Sequence, residues 1–188
     1  NTPVIEPIEW RIDKADYDMS RIAWNVADSY VYDGRAKTIS LTGLPEGLTP
    51  MYKDHSATNA GTYSASVSFK YDRKNYNAPS ADGCEWTIGK ADYDMSAVCW
   101  NYHDAYTYDG MMKSVELIGL PQGVKAVYEN NAQANAGTYI ATVSFEYDEQ
   151  NYNRPSFGSC TWTINKADVD LSKIRWNYNA PFTYNGEE

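Results

Sequence analysis

Three pairs of aspartates stand two residues apart at matching places in the chain: Asp16 with Asp18, Asp92 with Asp94, and Asp168 with Asp170. Carboxylates so spaced offer hard oxygens to a calcium ion, which takes six to eight such ligands, and no loop here supplies a full set. Aspartate also forms turns through its own local hydrogen bonds, so each pair has a plain structural reading beside the metal one. Other reactive groups are sparse. His55 and His103 are not in equivalent positions and neither has metal-ligand spacing; no glycine-rich phosphate loop, nucleophile elbow or His-Glu-x-x-His motif occurs. With no acid, base and nucleophile set to assemble, the reading is of a protein that is not an enzyme and takes no cofactor.

The three cysteines divide by phase. Cys84 and Cys160 alternate in step with Trp86, Ile88 and with Trp162, Ile164, and Ile8 holds the same slot upstream, which predicts buried thiols acting as small apolar groups. Cys99 is out of step with Val98 and Trp100 and belongs on the other face of its strand. Sulfurs on opposite faces of a sheet do not reach disulfide distance, so three free thiols are expected.

The elements that carry these groups recur. Lys-Ala-Asp-Tyr-Asp-Met-Ser stands at 14–20 and again at 90–96, and returns as Lys-Ala-Asp-Val-Asp-Leu-Ser at 166–172, a period of 90 − 14 = 166 − 90 = 76 residues. The register extends to Trp24, Trp100 and Trp176, to Trp10, Trp86 and Trp162, and to Tyr-Asp-Gly at 32–34 and 108–110. Roughly half of positions 14–89 are identical to their partners in 90–165 without a gap, the mark of copies of one small unit. The expected organisation is therefore a repeat at 14–89, a second at 90–165, the last strand of a preceding repeat at 1–13 and the truncated start of a third at 166–188.

Within a copy, Tyr63, Ala65, Val67, Phe69 and Tyr71 alternate with polar residues, as do Tyr139, Ala141, Val143, Phe145 and Tyr147 in the next. This predicts one long strand per copy with one wet face. Ile22, Trp24 and Val26, Ile39 and Leu41, and Trp86 and Ile88 alternate likewise. Gly34 and Gly110 are placed to supply the positive φ of a tight turn. No segment carries a 3.6-residue period beyond a short turn near 72–76, so the fold class is mostly β. A sugar-stacking role for Trp24, Trp86, Trp100 and Trp162 competes with a core role, and their phase favours the core, together with Tyr63, Tyr139, Phe69 and Phe145. Tyr30 and Tyr106 are the better candidates for an exposed ligand surface.

The ordered set Trp-Asn, Tyr-x-Tyr-Asp-Gly, Gly-Leu-Pro, Asn-Ala-Gly-Thr-Tyr with its alternating strand, Asn-Tyr-x-x-Pro and Trp-Thr-Ile-x-Lys-Ala resembles the YDG-type, "mostly β-grasp" (MBG) repeats found in tandem in bacterial cell-surface proteins. The resemblance covers essentially the whole chain and departs at Asn185, where Asp is usual. It implies tandem small β-grasp-like domains, an extracellular place on a bacterial surface, and a role in display or adhesion; it names no catalytic residue. Immunoglobulin-like sandwich repeats are the alternative the strand pattern leaves open.

Composition limits the partners. A net charge of −9 and a pI near 4.7 argue against a polyanionic partner, since nucleic-acid binding draws on Lys and Arg. No stretch approaches the roughly 18 apolar residues of a transmembrane helix. What remains is a spacer or stalk whose partners are neighbouring repeats of its own chain. The alternative is an adhesin-type module binding a host glycan or protein weakly and gaining avidity by repetition. Against that alternative, residues 53–58 (Lys-Asp-His-Ser-Ala-Thr) differ from 129–134 (Glu-Asn-Asn-Ala-Gln-Ala). The part copies at the two ends also suggest head-to-tail strand exchange between chains.

Overall fold

The structure is a computed structural model and describes residues 5–27, 29–178 and 180–187. It is built of β-strands. In the first copy these are β1 (Ala23–Asn25), β2 (Tyr30–Val31), β3 (Lys37–Thr38), β4 (Ser40–Thr42), β5 (Thr49–Lys53), β6 (Ser56–Ala57), β7 (Gly61–Lys70) and β8 (Cys84–Gly89). The second copy repeats the series as β9 (Cys99–Trp100), β10 (Tyr106–Thr107), β11 (Lys113–Ser114), β12 (Leu117–Ile118), β13 (Lys125–Glu129), β14 (Ala132–Gln133), β15 (Gly137–Glu146) and β16 (Cys160–Asn165).

Each copy has one four-stranded sheet, in the orders β2-β8-β7-β5 and β10-β16-β15-β13, and two small antiparallel pairs. The Trp-x-Ile strand β8 lies inside its sheet. It is antiparallel to β7, with Tyr63 opposite Trp86, and parallel to β2, with Tyr30 opposite Ile88. Tyr139 opposite Trp162 and Tyr106 opposite Ile164 reproduce this register. A strand flanked on both sides buries alternate side chains fully, and Trp86, Ile88, Trp162 and Ile164 are all buried in their clusters. Ile39 and Ala65 pack with the first pair, Val115 and Ala141 with the second. A second cluster in the first copy joins Leu41, Leu48 and Phe69 to half-buried Tyr17, Ile22 and Tyr52.

By contact the chain divides into two compact units. One comprises Asn1–Ser96, Leu120–Lys125 and Phe145–Ser156; the other comprises Ala97–Gly119, Ala126–Ser144 and Phe157–Glu188.

Several expectations meet the structure directly. The long strand is found with Tyr63, Ala65, Val67 and Phe69 turned inward and its serines outward, and Tyr139 and Phe145 are half-buried on the matching face. Gly34 and Gly110 have φ of 76° and 80°. The short turn at 72–76 is a single turn closed by the Tyr76 N–H on the Asp72 carbonyl (3.1 Å). Other expectations need correction. The first strand is shorter than the Ile22–Val26 alternation suggests, because β4, its partner among the described residues, offers just three residues. Residues 5–13 form no strand, and Ile8, Trp10 and Ile12 stand exposed; a Trp-x-Ile segment needs a β7-like strand to lie on, and it meets none there. Residues 1–4 of that expected strand lie outside the described residues.

The Gly-Leu-Pro motif has a steric cause. Gly43 has φ of 70°, and a Cβ there would sit 2.0 Å from the Arg21 carbonyl oxygen; Gly119 has φ of 77° and the same conflict at 2.2 Å with Ala97. Both the left-handed backbone and the close approach demand glycine. Gly43→Ala is expected to lower stability by about 2–4 kcal/mol, from αL strain plus the backbone shift. Urea denaturation followed by tryptophan fluorescence measures it, with Gly34→Ala, where no atom lies within 4 Å, as the milder comparison.

Candidate functional site

The repeated heptapeptide is a belt around a turn. In the second copy the Ala91 N–H donates to the Asn151 carbonyl (2.9 Å), and the Asn153 N–H donates back to the Ala91 carbonyl (2.8 Å). Lys90 Nζ caps the Glu149 carbonyl (2.6 Å), and Asn153 Nδ2 donates to Asp92 Oδ1 (2.8 Å). Tyr93 stacks on Tyr152 with ring centroids 4.0 Å apart. The first copy matches bond for bond: Ala15 to Asn75 (3.0 Å), Asn77 to Ala15 (2.9 Å), Lys14 to Arg73 (2.8 Å), Asn77 to Asp16 (2.7 Å), and Tyr17 on Tyr76 at 4.2 Å. Lys-Ala-Asp-Tyr thus ties the start of each copy to the Asp-x-x-Asn-Tyr-Asn turn near its end.

This geometry uses up the paired carboxylates. Asp16 and Asp92 accept from the asparagine of the turn, whereas Asp18, Asp94 and Asp170 accept the N–H of Ser20, Ser96 and Ser172 two residues on. Bonds from the serine side chain and backbone hold these last three carboxyls below the usual carboxylate range. Among the described residues no three His, Cys, Asp or Glu side chains gather as a metal would require.

Four of the six tryptophans are likewise committed. Trp24 Nε1 donates to the Asp82 carbonyl and Trp100 Nε1 to the Gly158 carbonyl, both at 2.9 Å. Trp86 Nε1 reaches the Asp54 carbonyl (3.2 Å) and Trp162 Nε1 that of Asn130 (3.3 Å). Asp54 and Asn130 sit at φ of 55° and 56°, a conformation Asp and Asn tolerate, so the dissimilar stretches 53–58 and 129–134 perform one structural task. The ligand-surface expectation for Tyr30 and Tyr106 is corrected by their packing. Their rings lie edge-on to Trp86 (5.9 Å) and Trp162 (6.1 Å), and their hydroxyls bond the Ala27 N–H and the Ser114 carbonyl. A strand as short as β2 or β10 keeps its tyrosine only by laying the ring on the core.

Cys160 is buried, and desolvation raises its thiol pKa; Cys99 is exposed, as its phase requires. Cys84, expected buried, is half-buried, because β8 begins at this residue and the chain before it leaves the sheet. All three are free.

No family model, curated protein or solved structure matches this chain. The function must come from its own surfaces. Of these, one depression of ≈ 340 Å³ beside Met19, Ile22, Trp24 and Asp82 is open, with no titratable pair converging on it. The distinctive contact lies within the first unit, where the belted turn of the second copy meets the first copy. Asn151, 6% exposed, accepts the Ala60 N–H through its side-chain oxygen (2.8 Å) and donates its amide to Asp148 Oδ2 (2.8 Å). Tyr152 stands edge-on to Tyr32 at 5.4 Å. Asn-Tyr-Asn, Asn-Ala-Gly and Tyr-Asp-Gly were visible as repeated words, but nothing in one sequence says that a turn in one copy answers a turn in another.

The aspartate network sets the response to acid. Asp72 and Asp148 are held low by their Asn75 and Asn151 side-chain partners, and Asp33 and Asp109 by Lys37 and Lys113. A carboxyl whose folded pKa lies below its unfolded value contributes stability above the unfolded pKa and loses it as pH falls through the folded one. The melting temperature is therefore expected to be flat from neutrality down to about pH 4.5 and to fall below about pH 4, where free aspartates protonate. A melting temperature that rises on acidification would show that the network repels more than it binds.

Proposed function

We propose that the chain is a non-enzymatic segment of a tandem array, acting as a spacer or stalk that displays another domain of a bacterial extracellular surface protein. One observation supports it above others: the repeated motifs go largely into holding each copy closed and into joining the second copy's turn to the first copy, and the open depression beside Met19 and Trp24 gathers no converging titratable pair. An adhesin would keep its repeated aromatic groups on an open face, whereas in the two full copies Trp24, Trp86, Trp100 and Trp162 are satisfied by backbone carbonyls, and Trp86 and Trp162 are covered by Tyr63 and Tyr139. The β-grasp-like assignment of each copy is part of the same proposal. Its support is the parallel pairing of the early strand β2 with the last strand β8, an arrangement foreign to an all-antiparallel sandwich.

A series of chains with two, four and six copies tests the proposal. With copies held in fixed relation, the maximum dimension from small-angle scattering grows by an equal increment per added copy. Growth only as about the square root of copy number, as for a flexible chain, contradicts the spacer reading. Retention on a glycan array by the two-copy chain favours the adhesin instead.

A further inference from the structure

Identical residues have different surroundings in the two copies. Asn151 is buried, but its equivalent Asn75 is exposed; Tyr32 is half-buried, but its equivalent Tyr108 is 43% exposed. The difference follows from the contact described above, since Asn151 and Tyr152 sit on the Ala60 N–H and on Tyr32. The second copy carries the same receiving surface. Asn135-Ala136-Gly137 repeats Asn59-Ala60-Gly61, and Tyr139 Oη donates to the Asn135 carbonyl (2.9 Å) as Tyr63 Oη does to that of Asn59 (2.7 Å). Asp109 Oδ1 accepts the Met111 N–H (2.9 Å), shaping the turn behind Tyr108 as Asp33 and the Arg35 N–H (2.9 Å) shape the one behind Tyr32.

The first copy carries the matching donor surface. Asp72 holds the N–H groups of Lys74 (2.9 Å) and Asn75 (3.2 Å) and the Asn75 amide (2.7 Å), the same cage that Asp148 builds around Asn151. Tyr76 is fixed by stacking on Tyr17, as Tyr152 is by Tyr93. Both surfaces are thus built before they meet, which keeps the ordering cost of association low.

We propose that Tyr108 with the Asn135-Ala136-Gly137 turn is a docking site for the Asp72–Tyr76 turn of a second copy of this chain. The Asn75 side-chain oxygen of one molecule accepts the Ala136 N–H of the other, and its Tyr76 ring stands edge-on to Tyr108. The contact is heterologous, so each molecule keeps one free surface of each kind and association is open to further copies. It is also small, which makes it weak when the two surfaces are not tethered. Docking is a property of these two surfaces and holds whether or not the array serves as a spacer, so the scattering series above and the present test fail independently.

Amide correlation NMR of the whole chain over a concentration series up to about 1 mM, a range suited to a contact this small, provides the test. Concentration-dependent shifts are expected at Asp72–Tyr76, Tyr108 and Asn135–Gly137 together. Tyr108→Ser removes an exposed ring, leaves the melting temperature unchanged, and should abolish the shifts at both surfaces. Invariant spectra up to that concentration overturn the proposal. So do shifts retained in Tyr108→Ser, or shifts centred on Trp10–Ile12 and Trp176–Tyr184, which would mean strand exchange through the terminal part copies.

Discussion

The structure depends on how the Asp-x-x-Asn-Tyr-Asn turn is held. Two main-chain bonds to Ala15 or Ala91, one lysine cap, one Asp–Asn bond and one tyrosine stack fasten it to the residues that open the same copy. Each such hydrogen bond is worth only about 0.5–1.5 kcal/mol net, so the strength lies in several acting on one short segment. Because the turn is fixed, its asparagine can be buried without loss: Asn151 finds Ala60 on one side and Asp148 on the other. An unsatisfied buried amide would instead cost about 1–3 kcal/mol.

The core sets the second constraint. A unit of 76 residues buries a modest fraction of its surface, which leaves little margin. The solution here is to place one Trp-x-Ile strand inside a four-stranded sheet and surround its indole with tyrosines. Trp86 meets Tyr30 and Tyr63, and Trp162 meets Tyr106 and Tyr139. Tyrosine suits this setting because its ring covers apolar surface while its hydroxyl returns to a backbone group. That is how a chain with 17 Tyr and 4 Phe covers the tryptophans of its two sheets.

Much of this was legible in the sequence. Alternation located the long strands and the inward Trp86, Ile88, Phe69 and Ala65, since a period of two leaves no choice of face once one side is apolar. The period of 76 located the copies. Tyr30 and Tyr106 misled, because two-residue strands give no phase and their rings fold back on the tryptophans. The paired aspartates also looked more chemical than they are, because their partners, Asn77 and Asn153, lie 61 residues further along the chain. The contact between Asn151 and Ala60 spans 91 residues and was beyond any local pattern.

A belted turn from one copy is locked onto the previous one, and the amide of Ala60 reports on that contact directly. Its counterpart Ala136 has the same local sequence and turn, so the two amides form an internal comparison within one molecule. Native-state hydrogen exchange read residue by residue should find the Ala60 amide strongly protected at low concentration and the Ala136 amide exchanging close to the rate of an open turn. Equal exchange at the two positions would mean that Asn151 does not hold Ala60 in solution and that the copies are merely strung together.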